Sequence, residues 1–338
     1  MWKVENYINE QYLEKFEAEI IIPVFNMIKE IVTKISLAKM SLPVQSEDIW
    51  KHTDVFKNLT NEKKSMYEHF MCKTVSGNKL QGLIYSICTR YSVSDVRFWY
   101  NLYLDQNREV DNGNYDVTHL KVCELFKKVF IDFYYSNFFV DEKIWNVVTG
   151  GKYDRKSFHE NFRRANDNRS VCPYCDIDTV VAVSNNNIEH FLPKSKYPFL
   201  AMNPKNLISS CTACNKAHEG KGDRVSPPPI VTPFHEMIGD SAEFRIDFLS
   251  RSIKLENRGS IKHENYFKLL KLYSRYSEEF IYDCVDDATE SLFQTLSNYS
   301  SPSRKAINDY ISMREGKVNL SFALKSAIKY YPQYQVYK

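Results

Sequence analysis

Apolar side chains recur every three or four residues over much of the first 150 positions of the chain. Tyr12, Phe16 and Ile20 stand four residues apart, and the stretches 96–104 and 120–138 repeat the pattern among polar residues. This period places the apolar side chains on one face of an α-helix, where they can pack against neighbouring helices. We therefore predict a helical domain over residues 1–150, which ends at two consecutive glycines.

The pattern changes twice after this boundary. Short apolar runs first alternate with polar loops, and the run Ser226–Pro229 excludes regular structure. Residues 243–248 and 252–255 then alternate apolar and polar positions, which predicts a β-hairpin, and a helical period follows. These changes predict an α+β fold, mostly α-helical, in three segments: 1–150, 151–232 and 233–338.

Composition supports this fold and says little about partners. The low numbers of glycine (10) and proline (12) favour helices over turn-rich sheets. A formal net charge of +3 does not identify a nucleic-acid partner, although the segment 151–224 holds a modest excess of basic residues. The apolar run Ile20–Phe25 is far shorter than the ~20 residues that a membrane span needs, and the N-terminus is charged throughout. We expect a cytoplasmic protein with no membrane partner.

Four of the eight cysteines form two CxxC pairs. Cys172 and Cys175 make the first pair, and Cys211 and Cys214 make the second. Four thiolates in two such pairs complete a closed tetrahedral site for structural Zn²⁺. Redox pairs are the alternative, but two pairs within one short module favour zinc. The remaining cysteines are expected to be small apolar residues rather than disulfide partners: Cys72, Cys88, Cys123 and Cys284.

Residues suited to hydrolysis lie between and beside these pairs. Glu189 and His190 are adjacent, Asn206 follows later in the same stretch, and Asn215 directly follows the last cysteine. A histidine with an ordinary pKa near ~6.5 can accept a proton from water at neutral pH. A glutamate can offer oxygen ligands to a hard cation, Mg²⁺ or Mn²⁺. Neighbouring side chains on a strand point in opposite directions, so the pair can serve two tasks.

The order of these residues resembles the HNH nuclease family. The stretches IEHFLP, NPKNL and CTACN carry the resemblance, with Glu189 where aspartate is commoner. The resemblance implies a ββα-metal fold and a metal-dependent endonuclease with His190 as the general base. It also implies that Glu189 and Asn215 bind the catalytic divalent cation and that Asn206 braces the loop and orients His190. Asn206 could instead cap a turn, and Asn215 could cap a helix that it opens.

Further residues near this motif are candidates for the site or its surroundings. His218 lies three positions after Asn215 and is either an additional ligand on the same helix face or an exposed histidine. His159 and His235 flank the module and are expected to be surface or packing residues. Basic residues near the motif are candidates for sequence-independent contact with nucleic-acid phosphates, or else an ordinary solvated surface. These residues are Lys194, Lys196, Lys205, Lys216 and Lys221.

The motif resembles in particular the HNH subunit of Septu-type and retron-associated anti-phage systems. This resemblance implies a role in bacterial defence, an ATPase partner subunit, and DNA rather than RNA as substrate. The helical segment 1–150 would then serve target recognition or partner docking. Two alternatives stay open at this point: an HNH toxin that cleaves RNA or tRNA, and a zinc-stabilised binding module without catalysis.

Overall fold

The structure is a computed structural model, and it describes residues 1–37, 46–181, 186–298 and 303–336. Contacts divide the chain into two compact units. The helical unit comprises Asn6–Phe162 and His190–Leu207, and the cysteine unit comprises Met1–Glu5, Arg163–Glu189 and Ile208–Lys338. These units combine distant stretches of the chain and do not test the division into three contiguous segments. That division remains a prediction about domains.

The helical unit contains the first eight helices and most of the ninth. They are α1 (Tyr7–Phe16), α2 (Ile22–Ser36), α3 (Asp54–Lys57), α4 (Asn61–Met71), α5 (Leu80–Arg90), α6 (Val93–Asp111), α7 (Glu124–Lys128), α8 (Glu142–Thr149) and α9 (Arg155–Ala165). Strands β1 (Thr74–Val75) and β2 (Asn78–Lys79) form a small antiparallel pair. Pro23 lies in the first turn of α2, directly after a π-helical turn at Glu17–Ile21.

An aromatic cluster fills the core of the helical unit. Phe25 on α2 lies with its ring centroid 5.2–6.2 Å from the rings of Tyr100, Tyr103, Phe126, Phe130 and Phe199. The predicted helix over 120–138 begins later, at α7, and continues as a π-helix over Val129–Asn137. Its aromatic residues are largely buried, as expected of a core helix.

The cysteine unit holds the remaining elements. They are β3 (Asn186–His190), β4 (Leu207–Cys211), α10 (Thr212–Asn215), β5 (Ala242–Asp247), β6 (Ser252–Asn257), α11 (Ile261–Leu269), α12 (Leu272–Tyr276), α13 (Glu279–Ser297), α14 (Arg304–Arg314), α15 (Ser321–Ala327) and α16 (Pro332–Val336). Strand β3 pairs with β4, and each strand has its last or first residue in the helical unit. The predicted hairpin is confirmed, because β5 and β6 pair antiparallel from Ala242↔Asn257 to Asp247↔Ser252.

The expected fold class is confirmed in outline: the described residues are mostly helical and carry three small two-stranded sheets. Among them, we find no helix that combines the length and the apolar character of a membrane span.

Candidate functional site

The four paired cysteines meet in the interior of the cysteine unit. Their sulfur atoms all lie within 4.8 Å of one another. The Sγ atoms of Cys172 and Cys214 are 3.9 Å apart, as are those of Cys175 and Cys211. Four sulfurs bound to one zinc ion at ~2.3 Å stand about 3.8 Å apart in a regular tetrahedron. The measured separations fit that arrangement and are far too long for a disulfide at ~2.05 Å.

Backbone amides and one arginine surround the sulfurs. The N–H of Ile177 donates to Cys175 Sγ and that of Cys211 to Cys172 Sγ, each at 3.4 Å. Arg275 on α12 donates from Nη1 to Cys214 Sγ at 3.1 Å, and its Nη2 lies 3.1 Å from Asp178 Oδ2. Such contacts compensate the negative charge of four thiolates and orient them. The residues at the cysteine cluster can therefore hold one structural zinc ion.

The sequence did not indicate Arg275 or Asp178. Arg275 lies 61 positions after Cys214, in a helix with no motif. An arginine is a common surface residue, so only the fold shows that this one faces thiolates.

Glu189 lies in the interior beside a lysine. Its Oε1 is 2.7 Å from the Nζ of Lys221, whose side chain is 0% exposed. The ammonium of Lys221 also donates to the carbonyl of Gly222 at 2.9 Å. Lys221 was expected at a nucleic-acid phosphate, but complete burial and the Glu189 carboxylate keep it from a surface role in this structure.

Two glycines produce the turn that brings Lys221 inward. A Cβ on Gly220 would lie 2.2 Å from the carbonyl oxygen of Cys214, and Gly222 has a φ of +53°. The backbone N–H of Lys221 donates to that same Cys214 oxygen at 2.8 Å. Only glycine fits such a close approach without displacing the backbone.

This turn also corrects two expectations about the helix after the second cysteine pair. Asn215 is the last residue of α10 rather than its first, so it does not cap the start of a helix. His218 lies beyond the end of α10, exposed, and the argument from a shared helix face is wrong. The physical reason is that the Cys214 carbonyl bonds to Lys221 N–H, which ends the helical ladder.

His190 lies in the helical unit and is buried. Its Nε2 is 3.0 Å from the carbonyl oxygen of Ala201. A carbonyl oxygen can only accept, so in the neutral ring Nε2 carries the proton and Nδ1 carries the lone pair. The ring of Tyr135 packs edge-to-face on the imidazole, with 4.5 Å between centroids.

Asn206 holds the loop that follows His190. Its Oδ1 accepts from the N–H of Leu192 at 2.7 Å, and its Nδ2 donates to the carbonyls of Leu192 and Leu200 at 3.0 and 3.1 Å. Its own carbonyl accepts from the N–H of Phe191 at 2.9 Å. The side chain is fully buried, and these contacts tie both ends of the loop 191–206 together.

The other candidate residues have varied surroundings. Lys196 and Lys216 are exposed, and Lys216 Nζ lies 3.4 Å from Glu219. Lys194 is half-buried, and Lys205 Nζ donates to the carbonyl of Asp111 at 2.9 Å. His159 is buried and His235 half-buried, so both are packing residues.

Two curated proteins are similar to parts of the chain. The Septu protein PtuB of Bacillus thuringiensis is 37% identical over 65 residues, which are 18% of this chain and 25% of PtuB. Protein ea31 of Escherichia phage lambda is 30% identical over 125 residues, which are 32% of this chain and 40% of ea31. The chain thus spans less than half of either relative. No family model and no solved structure matches it.

Proposed function

We propose that this protein is a metal-dependent HNH endonuclease that hydrolyses nucleic-acid phosphodiester bonds. The observation that carries the proposal is the state of His190: its Nε2 is held on a carbonyl, which gives Nδ1 the lone pair of a general base. Asn206 closes the loop beside it in the way the HNH resemblance implies. The chain order of β3, β4 and α10 around the cysteine pairs also supports this family.

In this proposal each residue of the site has a separate role. Nδ1 of His190 takes a proton from the attacking water, and the Ala201 carbonyl stabilises the imidazolium that results. Packing by Tyr135 fixes the plane of the imidazole. Asn206 acts as a positioning residue because its contacts are with the backbone of the loop rather than with a substrate.

Glu189 and Asn215 are the proposed ligands of a Mg²⁺ or Mn²⁺ ion. A carboxylate and an amide are the oxygen donors that such hard cations prefer. The cation would share Glu189 with the ammonium of Lys221, which lies at 2.7 Å. When bound, it would offset negative charge on the phosphate oxygens during hydrolysis.

The substrate class and biological role are part of the same proposal. The similarity to the Septu protein PtuB supports a role in anti-phage defence and an ATPase partner. We propose DNA as the substrate, with lysines 194, 196, 205 and 216 as candidates for phosphate contact. RNA shares the same phosphodiester chemistry and is the first alternative to test.

A second candidate function has one observation in its favour. The buried pair of Glu189 and Lys221 is what a purely structural glutamate would form. A zinc-stabilised module that binds nucleic acid or protein, without catalysis, would need no lone pair on His190.

A cleavage assay separates these candidates. Purified protein is incubated with supercoiled plasmid, single-stranded DNA and tRNA, with Mg²⁺ or Mn²⁺ added. We expect His190→Ala to slow cleavage by about 10²–10⁴-fold, the usual contribution of a general base. His52→Ala is the matched control, because His52 is exposed and lies outside the motif. Equal rates for both variants would exclude His190 as the base.

A further inference from the structure

The ring of Tyr135 is the centre of a basic cluster inside the helical unit. The imidazole of His190 packs on it at 4.5 Å between centroids. The guanidinium carbon of Arg155 lies 4.7 Å from the ring centroid, and Nζ of Lys194 lies 5.0 Å from it. Three basic side chains therefore contact one buried aromatic ring. Nothing in the HNH motif includes Arg155 or Tyr135.

Arg155 is held rigidly and by neutral groups. Its Nη1 donates to the hydroxyl of Tyr135 at 3.1 Å and its Nη2 to the Tyr135 carbonyl at 3.4 Å. A second ring, that of Phe139, lies 5.5 Å from the guanidinium carbon. Stacking on aromatic faces is a favourable environment for a guanidinium and limits its rotamers. The group is thus positioned before any ligand arrives.

The charge of Arg155 is not neutralised by a carboxylate within the described residues. Its neighbours on the chain differ: Lys152 lies 3.7 Å from Asp154, and Lys156 lies 3.7 Å from Glu160. No such ion pair is found for Arg155 in the described part of the chain, although it is half-buried. A half-buried cation that bonds only neutral oxygens retains the capacity to bind an anion.

The field of this charge reaches the surrounding interior. Burial first, and the positive charge of Arg155 second, lower the pKa of His159 to about 4. His159 is 3% exposed and is one helical turn along α9 from Arg155. The His159 imidazole is therefore uncharged at neutral pH, so it does not compete with Arg155 for an anion.

We infer that Arg155 and Lys194, arranged on Tyr135, bind a phosphate of the nucleic-acid backbone beside His190. Tyr135 acts as a positioning residue, and Arg155 offers its planar N–H groups to two phosphate oxygens. This inference rests on the proposed function, since it takes the substrate to be the one whose water His190 deprotonates. It adds a phosphate subsite built from residues outside the motif.

Binding to a defined oligonucleotide tests the subsite without using cleavage. A fluorescein-labelled 20-base-pair DNA duplex and an RNA duplex of the same sequence are titrated with the zinc-loaded protein, without added Mg²⁺ or Mn²⁺. Fluorescence anisotropy is measured over a range of NaCl concentrations. We expect Arg155→Met to raise Kd about tenfold and to reduce the slope of log Kd against log[NaCl] by about 1.

Matched variants identify the cause of this loss. Lys156→Met removes the same charge from the same helix, at a residue paired with Glu160, and should leave Kd within about twofold. Arg155→Lys keeps the charge and should recover the salt slope but only part of the affinity. Lys194→Met should also reduce the slope, and it provides the test if Arg155→Met lowers the melting temperature.

The outcomes separate the two proposals. Equal binding by Arg155→Met and Lys156→Met, on both duplexes, would overturn the phosphate subsite even if His190→Ala abolishes cleavage. A loss of binding confined to the Arg155 and Lys194 variants, with cleavage unaffected by His190→Ala, would keep the subsite and reject His190 as the general base. Similar losses on DNA and RNA support the subsite, because the phosphodiester is common to both.

Discussion

Glu189 and Lys221 lie 2.7 Å apart in the interior of the cysteine unit, where they form a buried ion pair. Removing one partner takes the countercharge away from the other charge in the interior, which typically costs about 3–5 kcal/mol. We expect Lys221→Met to lower the free energy of unfolding by this amount in urea denaturation. Lys216→Met, at an exposed lysine, should change it by less than about 0.5 kcal/mol.

The double variant Glu189→Gln/Lys221→Met completes the cycle. Because it removes both charges, it should recover much of the stability lost in Lys221→Met. If Lys221→Met and Lys216→Met unfold at the same urea concentration, the pair does not stabilise the fold.

The low pKa of His159 predicts that stability depends on pH. Burial and then Arg155 lower this pKa from 6.5 to about 4, so between these values the unfolded chain binds a proton that the folded chain does not. Stability is then fully present above pH 6.5 and is lost as the pH falls towards 4, by on the order of 3 kcal/mol from this residue. We expect His159→Gln to lose less stability than the wild type between pH 7.5 and 5 in urea denaturation. Parallel pH profiles for the two proteins would contradict this assignment.

At single residues, the sequence indicated candidate chemistry but not the surroundings of each side chain. The adjacent Glu189 and His190 indicated hydrolysis because few other residue types serve that task. Lys221 was predicted at a phosphate, since sequence shows its charge but not the turn that buries it. Arg155 and Tyr135 lie far from the motif in sequence, and only folding brings them to His190.

Among elements, the turn after α10 is tightly constrained. Gly220→Ala would place a Cβ 2.2 Å from the Cys214 carbonyl oxygen, so the backbone of the second cysteine pair would have to shift. We expect a loss of about 1–3 kcal/mol and faster zinc release to a colorimetric chelator. Gly151→Ala is the control, because nothing lies within 4 Å of its added Cβ. Equal zinc release from both variants would show that the turn does not support the metal site.

The period of apolar and polar positions was a good guide to β5 and β6. Side chains alternate between the two faces of a hairpin, and the two faces differ in burial. The period was a poor guide to the end of α10, because a carbonyl–amide contact with Lys221 ends that helix. It also did not reveal the π-helical geometry of Val129–Asn137.

For the whole molecule, zinc is expected to stabilise mainly the unit that contains its ligands. We predict that Cys211→Ser lowers the zinc content and the melting temperature, while Cys284→Ser, outside the cluster, retains both. Hydrogen exchange should show lost protection around β4 and α10, with α2 and α6 still protected. Full zinc retention by Cys211→Ser would exclude the proposed ligand set.

The division into units was beyond the reach of the sequence. Changes of pattern at residues 150 and 232 suggested contiguous domains, because composition records only local preferences. The contacts that define the units join Met1–Glu5 with residues beyond 162, and residues 190–207 with the first helices. Such long-range grouping depends on side-chain fit and leaves no local signal.

The interleaving of the two units also sets an order for synthesis on the ribosome. The helical unit has all its residues once Leu207 has emerged, whereas the cysteine unit needs stretches up to the end of the described chain. Met1–Glu5 precede the helical unit in the chain, yet they belong to a unit whose longest stretch is translated after Leu207. Because chains fold as they emerge, we expect the helical unit, including His190, to fold while most of the cysteine unit has yet to emerge.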